Sequence, residues 1–212
     1  MINEETAERI IGKKYSHFLW LFIFLALTIW FGYLKKTIVP KHIIYCSLDY
    51  YIPFVKEFVV AYLFWFAYMS IGLLYLGLKS KKDFYKLVLF LASCMSISYI
   101  IFIIYPNAQF PRPIITKLDI FSRMVSFIYS IDGTNNVFPS IHVANAIGVH
   151  ASLINCDILK NSGKVKTASF IAMIAICAST VLIKQHSIID VAGGVVLAFI
   201  VYIFIYKIPK TQ

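Results

Sequence analysis

Charge is scarce in this sequence. Only 14% of its 212 residues are Asp, Glu, Lys or Arg, far fewer than a soluble domain of this length carries. Acids are scarcer than bases, ten against twenty, and form no carboxylate cluster of the kind that holds a metal. The four cysteines, Cys46, Cys94, Cys156 and Cys177, are scattered with no C-x-x-C and no Cys/His grouping. That spacing argues against structural zinc or a disulfide framework and leaves them as small packing residues. The alternation of a closed β-barrel is missing, so any segment crossing lipid must be helical. There is no internal repeat and no low-complexity tract. Gly193 and Gly194 lack the lysine and spacing of a phosphate loop and read as close helix packing.

In place of charge there is hydrophobicity, 60% of the chain. Apolar runs approach or exceed the roughly 18–20 residues that cross a bilayer. The expectation is an all-α, polytopic membrane protein: one six-helix domain over 1–212, with spans near 16–34, 57–78, 85–105, 138–159, 167–183 and 188–206. Turn and charge signals fill the joints, as in "KSKKD" and "KNSGKVK". The net charge of +10 does not point to nucleic acid, because the cations sit in loops between spans. The first apolar run is too long for a cleaved signal peptide and no small-residue cleavage site follows. With both termini inside, cytoplasmic segments hold twelve Lys and Arg and the opposite side eight, the bias of the positive-inside rule. That places 1–15 in the cytoplasm and the 106–137 loop outside. Within this loop Leu118, Phe121, Met124, Val125 and Ile128 recur at helical spacing, with Thr116 and Asp119 as caps and Asp119 spaced to pair with Arg123. An amphipathic helix on the outer surface is expected. Tyr45, Tyr50, Tyr51 and Phe54 read as an interfacial aromatic belt, His17 and His42 as interfacial, and His150 as packed or hydrogen-bonded.

The polar residues that remain fall into three groups, all at the outer ends of spans. Arg112 follows the third span in "FPRP". Ser140 and His142 open the fourth in "FPSIH". Lys184, His186 and Asp190 join the fifth to the sixth in "STVLIKQHSIID". Arg112 and Lys184 supply positive charge. Ser140, after Pro139, opens a helix whose free N–H groups suit an anion. His142 and His186 provide an acid–base or nucleophile pair. Asp190, four residues after His186, can fix its tautomer. Such a set suits phosphoryl transfer through a phosphohistidine.

These residues resemble three signature motifs of the type-2 phosphatidic-acid phosphatase superfamily, the membrane lipid phosphatases that share a fold with vanadium haloperoxidases. P-S-x-H is met by Pro139, Ser140 and His142. S-R-x5-H-x3-D is met by Ser179, His186 and Asp190. In K-x6-R-P, Arg112 and Pro113 match. The resemblance implies that His186 attacks phosphorus, Asp190 orients it, and His142 protonates the leaving group and later activates water. Arg112 and Ser140 would hold the phosphate oxygens, and Ser179 falls at the start of the third motif. No metal or other cofactor is implied. Two positions depart from the pattern. Tyr105 stands where the first-motif lysine belongs, as a candidate ligand contact, and Thr180 stands in place of the third-motif arginine. Lys184, one turn beyond Thr180, is expected to restore that charge. K-Q-H here resembles the branch containing inositol phosphorylceramide synthase-like enzymes. The expected activity is hydrolysis of a lipid phosphomonoester or diphosphate at the outer face of the cell (inner) membrane. Transfer of the phosphoryl or head group to an acceptor alcohol is the alternative, and a non-enzymatic lipid-binding or transport protein is the third reading. The expected partners are the lipid phosphate and the bilayer.

Overall fold

A computed structural model of the chain describes residues 14–109, 112–116 and 119–208. The segment 1–13, Leu118 of the expected loop helix, Phe110 and Pro111 of "FPRP", and Lys210 lie outside the described residues. The architecture is all-α. A 3-10 turn, Ser16–Leu21, leads into α1, Phe22–Thr37. Next come β1, His42–Ile44, and the one-turn α2, Leu48–Tyr51. Two long helices follow, α3, Val59–Lys79, and α4, Lys81–Ile104. After β2, Asn107–Gln109, come α5, Ile120–Asp132, α6, Ile141–Ile154, α7, Gly163–Leu182, and α8, Ile188–Tyr202. The two three-residue strands pair in parallel, His42 beside Asn107, a contact the apolar pattern of the sequence did not signal.

Among the described residues, five helical segments are long and apolar enough to cross a membrane: Ser16–Thr37, Lys56–Lys79, Lys81–Ile104, Gly163–Leu182 and Ile188–Lys207. They expose Phe22, Ile29, Ile71, Ile103, Ile171 and Phe199, side chains that suit lipid rather than water. The expected fourth span, 138–159, is instead the 14-residue α6. At 1.5 Å per residue that helix is about 21 Å long, short of the ~30 Å hydrocarbon core. It forms at the centre of the bundle, packed on α4, α7 and α8, with Val143, Ala144, Ala146, Gly148 and Val149 buried. Small residues permit this. A methyl group on Gly148 would stand 2.5 Å from the Phe90 ring, and one on Gly72 would stand 2.8 Å from Val149. Close helix approach of this kind is how membrane helices gain dispersion contacts.

The connections 38–58 and 183–187 and the described residues between 105 and 140 gather at one end of the bundle. Val55 N–H donates to the Leu182 carbonyl at 2.9 Å, and Lys35 Nζ donates to the Ile131 carbonyl at the end of α5. The amphipathic α5 is present, and Asp119 is its N-cap. Its apolar side, Val125 and Ile128, packs on Val59, Tyr62 and Ile183, so the helix roofs the bundle end rather than lying free on a surface. Lys56 bonds Asp119, an ion pair not expected from sequence. His17 is buried and hydrogen-bonded to the Gly77 carbonyl at 2.7 Å, unlike the interfacial residue expected. His150 pairs with Ser169 at 2.9 Å.

Candidate active site

The turn after α7 sets the first half of the site. Lys184 has φ 57, a left-handed conformation that ends the helix. Gln185 and His186 N–H both donate to the Thr180 carbonyl at 2.9 Å. His186 thus precedes Ser187, the N-cap of α8, in the joint between the two helices. Asp190 is the third residue of α8 and completes a capping box with Ser187. Its Oδ2 accepts from Ser187 N–H at 2.9 Å and lies 3.2 Å from His186 Nδ1. Asp190 is 0% exposed and His186 8%. A carboxylate at Nδ1 favours the proton on that nitrogen and leaves Nε2 as the lone-pair bearer.

The second half comes from the loop into α6. Asn107, wholly buried, accepts through Oδ1 from Val137 and Phe138 N–H, both at 2.9 Å. Its Nδ2 donates to the Tyr105 and Phe138 carbonyls. The Phe138–Pro139 peptide is cis. Ser140 N–H then donates to the Asp190 carbonyl at 3.0 Å, which ties the two halves backbone to backbone. Gly194 allows it: a Cβ there would sit 2.7 Å from the Ser140 carbonyl oxygen, and one on Gly193 would sit 2.4 Å from the Phe138 ring. His142, in the first turn of α6, has its ring centre 5.8 Å from that of His186. The Tyr62 and Trp65 rings flank it at 4.5 and 4.4 Å.

His186 forms a wall common to two cavities. The first, about 310 Å³, is lined by Asp49, Gln109, Arg112, Lys184 and Ser187 among others. The second, about 380 Å³, opens toward α1 and α3 and is lined by His142, Tyr62, Asp132, Asn136 and Gln185 with apolar neighbours. The structure therefore brings His142, His186 and Asp190 together, with Arg112 and Lys184 beside them. Both cations already donate to backbone carbonyls, although Arg112 Nε has no partner among the described residues. Lys184 Nζ donates to the carbonyls of Asp49 and Ile52, at 2.8 and 2.5 Å. The Arg112 guanidinium donates to the carbonyls of Tyr129 and Gly133 and lies 4.4 Å over the Tyr129 ring. Burial pulls both groups below their ordinary values, with Asp49 opposing the shift at Lys184 and Tyr129 opposing it at Arg112.

The other expected ligands lie differently. Ser140 is wholly buried, and its hydroxyl accepts from Val143 N–H at 3.4 Å as a helix cap. Ser179 is also buried, donating to the Ile176 carbonyl at 2.6 Å. Tyr105 is exposed and stacks on His42 at 4.1 Å. These three residues line neither of the two cavities.

Several residues at the site were not singled out from sequence. Asp49 accepts from Ser187 Oγ at 2.5 Å and Ile188 N–H at 2.8 Å, placing a carboxylate at the α8 N-terminus. Tyr45, Tyr50 and Phe54 line the first cavity rather than forming only a belt. Tyr62 donates to Asp132 at 2.6 Å. Gln185 stood within the motif, unread. Asp132 carried a signal as an acid closing an apolar helix before Gly133; Asp49 and Tyr62 carried none. Among the described residues no group of three His, Cys, Asp or Glu side chains is placed to hold a metal.

A family model described as the PAP2 superfamily matches residues 86–212. No curated protein and no solved structure matches the chain. The matched region contains His142, His186 and Asp190, while α1 and α3 lie outside it.

Proposed function

The chain belongs to the PAP2 superfamily, a grouping of phosphatases and related enzymes, and from that premise we propose an integral-membrane lipid phosphatase. The observation that carries the reading is the His186–Asp190 pair at 3.2 Å facing His142 across 5.8 Å, where the two cavities meet. His186 Nε2 attacks phosphorus, the P–O bond to the lipid alcohol breaks, and protonated His142 gives its proton to the leaving oxygen. Neutral His142 then takes a proton from water, whose oxygen attacks phosphorus, and the N–P bond breaks to release phosphate. Asp190 stabilises the imidazolium that develops on His186. Arg112 and Lys184 supply positive potential to the phosphate side, and Ser140 acts as the cap that sets His142 rather than as a ligand.

The substrate class is a lipid phosphomonoester or diphosphate, the site faces the outside of a cell (inner) membrane, and both termini are cytoplasmic. The cation bias of the loops supports that orientation. The whole chain acts as one domain, and turnover needs no divalent metal. Purified protein in lipid micelles should release inorganic phosphate from phosphatidic acid, phosphatidylglycerophosphate or an isoprenyl diphosphate, in the presence of EDTA and without an added acceptor. His186→Ala is the control. Strict dependence on an acceptor alcohol would overturn hydrolysis in favour of phosphotransfer. Full activity in His186→Ala would overturn the phosphohistidine.

A further inference from the structure

The cavity on the α1–α3 side of His186 contains buried polar atoms without partners. Among the described residues, Gln185 Oε1, both amide atoms of Asn136, His142 Nε2 and Trp65 Nε1 have none, and all four residues line this cavity. Gln185 is 3% exposed and Asn136 6%. Buried polar groups are rarely left unpaired, because their desolvation is uncompensated. A ligand that pairs them is therefore favoured here.

Their chemistry restricts what that ligand is. Asn136 offers a donor and an acceptor, and Gln185 offers an acceptor. Asp132 adds a carboxylate, held by the Tyr62 hydroxyl at 2.6 Å. The cation lining the cavity, Lys35, already donates to the Ile131 carbonyl. An anion would meet Asp132 unfavourably. A neutral hydroxyl, which both donates and accepts, satisfies these groups together. The apolar remainder, including Phe31, Met95 and Ile141, suits hydrocarbon. On α1 the lining residues Thr28, Phe31, Gly32 and Lys35 share one helical face, and a Cβ on Gly32 would meet nothing within 4 Å.

We propose that this cavity is a subsite for a hydroxyl-bearing alcohol, the leaving or the accepting partner of phosphoryl transfer, recognised by Asn136, Gln185 and Asp132. The inference rests on the phosphoryl-transfer reading above and deepens it. As leaving group, the alcohol oxygen receives the His142 proton while the P–O bond breaks and the His186 N–P bond forms. As acceptor, its hydroxyl gives its proton to His142 while the oxygen attacks phosphorus and the N–P bond breaks. A further free hydroxyl on the same alcohol is held by the amides. Two walls of the subsite come from α1 and α3, outside the family match, while Asn136, Gln185 and Asp132 lie inside it.

The test compares kcat/KM for phosphatidylglycerophosphate, whose leaving alcohol carries a free hydroxyl, with that for phosphatidic acid, whose leaving alcohol does not. A second arm adds glycerol to phosphatidic acid and measures glycerol phosphate. Wild-type protein is expected to favour the hydroxylated alcohol by about tenfold in one arm, the scale of one hydrogen bond. Preference in the first arm assigns the subsite to the leaving group; glycerol phosphate in the second assigns it to the acceptor. Asn136→Gly, which suits the φ of 61 there, should bring the ratio close to one, and Asn136→Asp should recover part of it. Gln185→Met gives an independent reading should Asn136→Gly fold poorly. A wild-type ratio near one with no glycerol phosphate, or a ratio unmoved by both Asn136→Gly and Gln185→Met, overturns the subsite alone. No phosphate released or transferred from either lipid overturns the phosphoryl-transfer reading, and the subsite with it.

Discussion

The two cavities that share His186 differ in their hydrogen bonding. On the Lys184 side, the cations expected to grip phosphate are bonded to backbone carbonyls of Asp49, Ile52, Tyr129 and Gly133. On the His142 side, neutral amides and an imidazole nitrogen are buried with no partner. Residue type alone would rank the first as the better binding wall. The cations of the first wall hold loops together, with Arg112 Nε and Gln109 Oε1 unpaired among the described residues, whereas the second wall gathers more unpaired buried atoms, on Asn136, Gln185, His142 and Trp65.

The largest way to break this comparison is to remove the wall common to both sides. His186→Ala should lower phosphate release by at least about 10⁴-fold, the scale seen when a nucleophile is deleted, with radiolabel from the lipid phosphate no longer retained on the protein. Gly194→Val attacks the join between the halves. It forces a side chain against the Ser140 carbonyl and Val143, costs about 1–3 kcal/mol by overpacking, and should lower kcat about 10²-fold through misplacement of His142. Kinetics with a parallel thermal melt would check it.

A finer test addresses Lys184. If its bonds to Asp49 and Ile52 matter as the structure indicates, Lys184→Met should raise KM about tenfold and also speed hydrogen exchange across 45–54. A raised KM with exchange unchanged would make Lys184 a phosphate ligand alone. The smallest effect concerns the helix that roofs the bundle end. The hydrogen bond from Lys56 holds the Asp119 carboxyl well below the usual carboxylate range, with further help from Ser122. A depressed carboxyl contributes stability above its ordinary pKa, and that contribution is lost as pH falls through the lowered value. In Lys56→Met that contribution is missing at neutral pH, so the further loss of thermal stability on acidification below pH ~4 should be smaller than in wild type. Melting curves at stepped pH would show it.

The helical class was legible because sparse charge and long apolar runs leave few other solutions, and the interval from Ser140 to His142 to His186 to Asp190 led to side chains that the fold does bring together. What was not legible depends on non-local geometry. The length of α6 is set by neighbours that surround it, and its composition resembles that of a full span. The pairing of His42–Ile44 with Asn107–Gln109 joins segments more than sixty residues apart. Lys184 and Arg112 read as phosphate ligands from charge and motif position, but where their nitrogens donate depends on loop carbonyls that no spacing rule locates. Tyr50 read as an interfacial belt and its neighbour Asp49 carried no signal, yet both line the first cavity and Asp49 also caps α8.

The shortness of α6 bears on how the chain enters a bilayer. A 14-residue segment with Asn145, His150 and Ser152 in it is a poor substrate for insertion by itself, since each polar residue weakens its partition from water. Its burial against α4, α7 and α8 makes those helices its solvent. Insertion of the segment bearing His142 therefore depends on later-synthesised α7 and α8, so defects along their shared faces would appear as protein never assembled in the membrane rather than as assembled but inactive enzyme.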